Sequence, residues 1–196
     1  MKCLLINLIV FVTFVNSDIG KRLSLPQLPF GIYRLNFLGV TRCDSSIPTN
    51  NKLKYELYLS KKSANTTEIK GVVTNSVPLD DSLDLEFKLA VKDSIGGWKE
   101  NAFIYKTPKA CSSLKKLLGP AWNPVMDSAG AYNATCPMAV GVYKVSGIDT
   151  DVFKISNFPK SFFYGTYKFR FFYSKNNEVY GCFIMVVEIK RPWETE

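Results

Sequence analysis

An all-β fold, a sandwich or a cup derived from one, is predicted by three observations. Several segments alternate apolar and polar residues with period two. One long segment near the C-terminus is apolar on both faces. Only one stretch carries helical spacing. Taken in chain order, a weak strand is expected over residues 33–40. Residues 52–60 (KLKYELYLS) then place Leu53, Tyr55, Leu57 and Leu59 on one face and Lys52, Lys54 and Glu56 on the other. Residues 68–75 read as a further weak strand. Residues 83–92 (LDLEFKLAVK) alternate more cleanly, with Leu83, Leu85, Phe87, Leu89 and Val91 opposing Asp84, Glu86, Lys88 and Lys92. Such alternation gives one buried and one solvated face, as antiparallel sheets have.

Weak strands are also expected over residues 98–105, 141–146 and 152–156. Residues 108–118 (PKACSSLKKLL) predict the one short helix. Pro108 lies near its first turn, Cys111, Leu114 and Leu118 share a face, and Gly119-Pro120 ends it. Residues 167–173 set Tyr167, Phe169, Phe171 and Tyr173 against Lys168 and Arg170. Residues 179–190 (VYGCFIMVVEIK) predict a central strand, and the Lys175-Asn176-Asn177-Glu178 stretch before it predicts a hairpin turn, because Asn tolerates positive φ.

Residues 1–17 read as a cleaved signal peptide. Met1-Lys2 is a short positive start, Cys3 to Val15 is an uncharged apolar run, and Val15-Asn16-Ser17 suits signal peptidase. The run would span only about 20 Å as a helix, against a hydrocarbon core of roughly 30 Å. A secreted or endolysosomal protein follows. Loss of Lys2 leaves 24 Lys+Arg against 17 Asp+Glu, a charge of +7. With ordinary carboxylate pKa values the charge rises to about +12 at pH 4.5. Cys43, Cys111, Cys136 and Cys182 remain, an even number suited to an oxidising compartment, and four cysteines allow three pairings. Asn65 and Asn133 head the sequons Asn65-Thr66-Thr67 and Asn133-Ala134-Thr135, which places both in exposed loops.

Catalytic constellations are scarce. The chain has no histidine, which excludes Ser-His-Asp and Cys-His nucleophile systems and HExxH zinc sites. There is no phosphate-binding glycine loop, no GxSxG elbow and no metal-ligand spacing, so no cofactor is expected. Asp80-Asp81 and Asp149/Asp151 read as solvated turn residues rather than a glycosidase pair. The basic-aromatic run at residues 167–173 superficially suits RNA, but a secreted chain meets little of it, and no nucleic-acid partner is expected. A non-enzymatic binding role remains. Inward-facing side chains either fill a close-packed core or line a pocket for an apolar ligand, and composition does not choose between them.

From Cys43 onward the chain resembles the ganglioside-activator branch of the ML (MD-2-related) lipid-recognition superfamily. The matching pieces are Arg42-Cys43-Asp44, the sequon at Asn65, and Ser76-Val77-Pro78-Leu79 leading into the alternating strand. Lys109-Ala110-Cys111, Cys136-Pro137 with Gly141-Val142-Tyr143, and Gly165-Thr166-Tyr167-Lys168 follow. Gly181-Cys182 comes last, with the closing Glu188-Ile189-Lys190. Vertebrate members carry further disulfides around the region aligned with residues 98–136. This chain lacks those cysteines and looks more like invertebrate relatives. Residues 18–42 form an N-terminal extension and first strand, and residues 43–196 the ML-like domain.

The resemblance implies an immunoglobulin-like β-sandwich opened into a lipid-binding β-cup, with disulfides Cys43–Cys182 and Cys111–Cys136. It implies a cavity wall of Leu57, Leu59, Leu85, Phe87, Leu89, Phe169, Phe171, Phe183, Met185 and Val187. Trp122, Phe162, Phe163 and Tyr164 are expected on a membrane-facing rim, in the loops 120–124 and 159–164. The expected function is uptake of a lipid or glycolipid from an anionic membrane surface and its presentation to a partner, a glycosidase among the partners implied. The alternatives are an extracellular carrier or recognition module acting at neutral pH, and a solid-core adhesion or signalling module.

Overall fold

The computed structural model describes residues 29–63 and 66–194. The segment 1–17 expected as a signal peptide, residues 18–28 of the extension, and the sequon residue Asn65 lie outside the described residues. Ten strands are seen among the described residues: β1 (Phe30–Gly31), β2 (Arg34–Arg42), β3 (Leu53–Lys61), β4 (Thr67–Asn75), β5 (Asp84–Lys92), β6 (Trp98–Thr107), β7 (Gly141–Asp149), β8 (Phe162–Phe163), β9 (Gly165–Lys175) and β10 (Glu178–Lys190). They form a five-stranded sheet β2-β10-β9-β5-β6, a three-stranded sheet β3-β4-β7 and a small β1-β8 pair. All pairings are antiparallel. The fold is therefore an all-β sandwich with open sheets, as the alternation predicts.

Register fixes the faces. Phe171 lies opposite Phe87 of β5 and Phe183 of β10, and Phe169 lies opposite Leu89 and Met185. The clean alternation of β5 and β9 thus becomes one continuous apolar face. Tyr55 of β3 packs on Tyr173 and Phe183, at centroid distances of 5.8 and 4.8 Å, so this face looks toward the second sheet. The sheets meet chiefly along one side, where β3 touches β2 and β10. Gly181 marks the tightest approach: a Cβ there would collide with the carbonyl oxygen and side chain of Leu53. The hairpin before β10 has positive φ at both Asn176 (51°) and Asn177 (64°), as a type I′ turn requires.

Away from that seam the gap is bridged by helices α1 (Ala110–Leu118) and α2 (Trp122–Ser128), linked by a short 3₁₀ turn. α1 contacts β5 and α2 contacts β7. The start of α1 has no cap of its own. Asp81 supplies one, accepting from the Ser112 backbone N–H at 2.9 Å and its hydroxyl at 2.6 Å. Those bonds hold the Asp81 carboxyl below its ordinary pKa. α1 stops at Gly119 (φ 53°), as the Gly-Pro pair predicts, but the chain re-enters helix rather than forming the exposed loop expected over 120–124. Pro124 is tolerated because it falls in the first turn of α2, where its missing N–H has no intrahelical acceptor.

A second departure is the segment 152–156, expected as a strand. It lies in a 3₁₀ helix, Thr150–Ile155, whose first turn is capped by the Asp149 carboxylate accepting from the Asp151 N–H at 2.9 Å. The local Asp-x-Asp hydrogen bond outcompetes sheet pairing there. Both disulfides implied by the resemblance are present, Cys43–Cys182 and Cys111–Cys136, each with a Cα–Cα distance of 5.7 Å. The first ties the end of β2 to β10; the second ties α1 to the irregular segment that leads into β7.

Candidate functional site

The space between the sheets is the candidate site. Its walls are built by period two alone, because each strand presents every second side chain inward. All ten residues expected on the wall lie on these facing surfaces: Leu57 and Leu59 on β3, Leu85, Phe87 and Leu89 on β5, Phe169 and Phe171 on β9, and Phe183, Met185 and Val187 on β10. Two kinds of burial coexist among them. Leu85, Phe87, Leu89, Phe183 and Val187 are buried, whereas Leu57, Leu59, Phe169, Phe171 and Met185 are only half-buried. Phe169, Phe171 and Met185 sit in the middle of a five-stranded sheet, where a filled sandwich would cover them fully. On the edge strand β6 the inward Phe103 and Tyr105 remain exposed.

The wall is strongly aromatic. Phe171 stacks on Phe183 at 4.5 Å and meets Phe87 edge-on at 4.8 Å. Phe87 in turn stacks on Tyr105 at 5.8 Å. At the end nearest the first turn of α1, the buried rings of Tyr55 and Tyr173 stack on one another. Burial pushes the Tyr173 hydroxyl up to about 12 and raises that of Tyr55 well above its ordinary value.

The opposite end carries the expected rim residues, with one correction. Phe163 is 55% exposed and Phe162 and Tyr164 are half-buried. Trp122 does not belong there: it is 2% exposed, and its indole N–H donates to the Ala134 carbonyl at 2.9 Å. An indole within a helix that bridges the gap has its ring turned into the core, so the Pro-Ala-Trp-Asn-Pro composition misled the reading of an exposed loop. Asn133 is exposed, with a left-handed φ of 54°, as its sequon predicts.

The structure also adds rim residues that the sequence did not single out. Phe30 packs on Phe163 at 5.0 Å through the β1-β8 pair, and Ile32 is exposed beside it. Val91 lies opposite Tyr167, which puts the β5–β6 turn at the same end. Ile95, at that turn, is 91% exposed. Basic groups accompany them: Lys168 lies 4.2 Å from the Trp98 ring centroid and Arg191 lies 4.5 Å from that of Tyr164. From the exposed pair an unbroken aromatic series runs inward, Phe163 to Phe162 at 6.4 Å, Phe162 to Tyr167 at 5.6 Å and Tyr167 to Phe169 at 6.1 Å. The signals that could have found Ile95 and Phe30 were weak: an apolar residue in a Ser-Ile-Gly-Gly turn, and a Pro-Phe-Gly step before the first strand.

A second hollow, of about 650 Å³, lies beside the Cys43–Cys182 link, lined by Arg42, Asp44, Thr49, Asn51, Lys54 and Tyr55 among others. Ile47, Pro48 and Leu53 give it apolar walls as well, and it shares Leu53 and Tyr55 with the intersheet cleft. Among the described residues no group of His, Cys, Asp and Glu is arranged to hold a metal ion, and no helix is long and apolar enough to cross a membrane. Compared with known proteins, the chain matches no family model and no curated sequence.

Proposed function

We propose that this protein is a secreted lipid-binding and transfer protein, which draws an acyl-chain lipid from a membrane into the cleft between its sheets and presents it to a partner. The observation that carries this reading is the half-buried inner face, Phe169, Phe171 and Met185 with Leu57 and Leu59 opposite, joined by aromatic contacts to an exposed apolar rim. Enclosing a tail of about 16 carbons removes it from water with a gain of roughly 12 kcal/mol. A tail leaving a bilayer gains far less, because it was already in an apolar medium. The protein must therefore engage the membrane first. Phe163, Phe30, Ile32 and Ile95 on the rim, with Lys168 and Arg191 close by, suit contact with anionic headgroups and the acyl layer beneath. Two disulfides fit an oxidising, extracytoplasmic compartment. The glycolipid nature of the cargo and a glycosidase as the partner rest on the resemblance to ganglioside activators.

Native mass spectrometry of the purified secreted chain tests the proposal. A co-purifying lipid, displaceable by a fluorescent fatty acid, is the expected result. A chain that is empty as purified and rejects the fluorescent probe would favour a solid-core recognition module instead.

A further inference from the structure

Among the described residues, the facing surfaces hold one fully buried polar side chain with no hydrogen-bond partner. Asn75, the last residue of β4, is 2% exposed, and neither its Nδ2 nor its Oδ1 meets a partner. Its place in the register, opposite Leu53 on β3 and Gly141 on β7, puts it on the same face as Ile69, Gly71 and Val73. It therefore looks toward the five-stranded sheet. At this level Leu53 abuts Gly181, and the buried Tyr55 stacks on the buried Tyr173. Each tyrosine hydroxyl brings one donor and acceptor lone pairs to this level. The end of the cleft opposite the rim is thus where, among the described residues, its lining leaves a buried amide unmet.

We propose that Asn75 and the Tyr55–Tyr173 pair form a polar floor that takes a hydroxyl carried at the far, first-entering end of an apolar ligand. This rests on the lipid-binding reading and sharpens the ligand it implies. A buried amide without a partner is destabilising, and a ligand group that meets it removes that cost. A hydroxyl suits the amide because it donates to Oδ1 and accepts from Nδ2 at once. A methyl terminus leaves both atoms unmet, and an ionised carboxylate, which can only accept, leaves Oδ1 unmet and brings a charge into a buried site. A site built to hydrogen-bond a hydroxyl discriminates strongly against the analogue that lacks it. The reach is adequate: Val187 lies opposite Tyr167 near the rim and Gly181 lies at the floor, six residues apart along β10, which is about 20 Å of strand.

The test is competition of omega-hydroxypalmitic acid and palmitic acid for displacement of a fluorescent fatty acid from the full mature chain. The hydroxy acid is expected to bind about tenfold more tightly, the effect of one buried hydrogen bond near the upper end of its usual range. Asn75→Leu, close to isosteric and free of the unmet amide, is expected to fold and to lose the preference while still binding palmitic acid. Tyr173→Phe, which keeps the ring, is expected to reduce it. Equal or weaker binding of the hydroxy acid by the wild-type chain overturns the polar floor, as does a preference that survives in Asn75→Leu. If Asn75→Leu does not fold, the wild-type ratio decides alone. Equal displacement by the two acids leaves the lipid reading intact and removes only the floor, whereas displacement by neither removes both.

Discussion

Gly181 sits on the inner face of β10, where Phe183, Met185 and Val187 follow it, and its missing side chain is what lets β3 approach. Any Cβ there must push Leu53 backbone, which cannot swing aside as a flexible side chain would. Gly181→Ala is expected to lower stability by about 2–3 kcal/mol through overpacking, read as a fall in the denaturant midpoint at unchanged slope. A midpoint within experimental error of wild type would show that the sheets are not in contact at this seam. This residue was visible in the sequence only as part of a Gly-Cys pair, with nothing to say that it faced a neighbouring backbone. Period two, by contrast, made the faces of Leu85, Phe87 and Phe169 readable in advance, because alternation is imposed by the strand itself. Trp122 was not readable, since its burial depends on how a helix lies across two sheets rather than on its local spacing.

The helical bridge and the rim loops are the elements on which the cleft depends. Cys111–Cys136 closes a separation of 25 residues, and the chain-entropy treatment gives such a loop about 3.5 kcal/mol. The double replacement Cys111→Ser with Cys136→Ser is expected to lose about that much in reversible unfolding, with amide exchange rising first in α1 and α2. Uniform loss of protection across both sheets would instead mean that the bridge is part of a single cooperative core. The rim behaves differently. Phe163 and Ile95 are largely exposed and support little of the core, so Phe163→Ser with Ile95→Ser is expected to leave the melting temperature within about 2 °C. Cosedimentation with anionic liposomes is expected to fall severalfold; unchanged cosedimentation would place the membrane contact elsewhere. The alternating strands, the Asn176-Asn177 hairpin turn and α1 were legible because each follows from local pattern. The second helix and the Thr150–Ile155 turn were not, because Pro124 and the Asp149 cap have alternative local meanings that only the packing of neighbours resolves.

Charge acts on the molecule as a whole. Hydrogen bonds from Ser112 hold the Asp81 carboxyl below its usual range, and those from Arg170 do the same for Glu100, which joins β6 to β9 across β5. A depressed folded-state pKa stabilises above the unfolded value and loses that contribution only as pH falls through the lower, folded one. These two groups therefore hold their charge to lower pH than free carboxylates do, while the net positive charge of the molecule grows on acidification. Binding to anionic liposomes in low salt is expected to be stronger at pH 4.5 than at pH 7.4, with the melting temperature falling steeply only below about pH 4. Equal binding at the two pH values would rule out an acid compartment as the setting. The edge strand β6 has a further consequence. Its register slips between Leu89 and Val91 of the adjoining β5, and Asn101 turns to a φ of 54° at that point. The kink, flanked by Lys99 and Lys106, denies a second molecule a straight row of backbone groups. A protein with Phe103, Ile104 and Tyr105 in the open can in this way stay dispersed in concentrated solution instead of stacking into filaments.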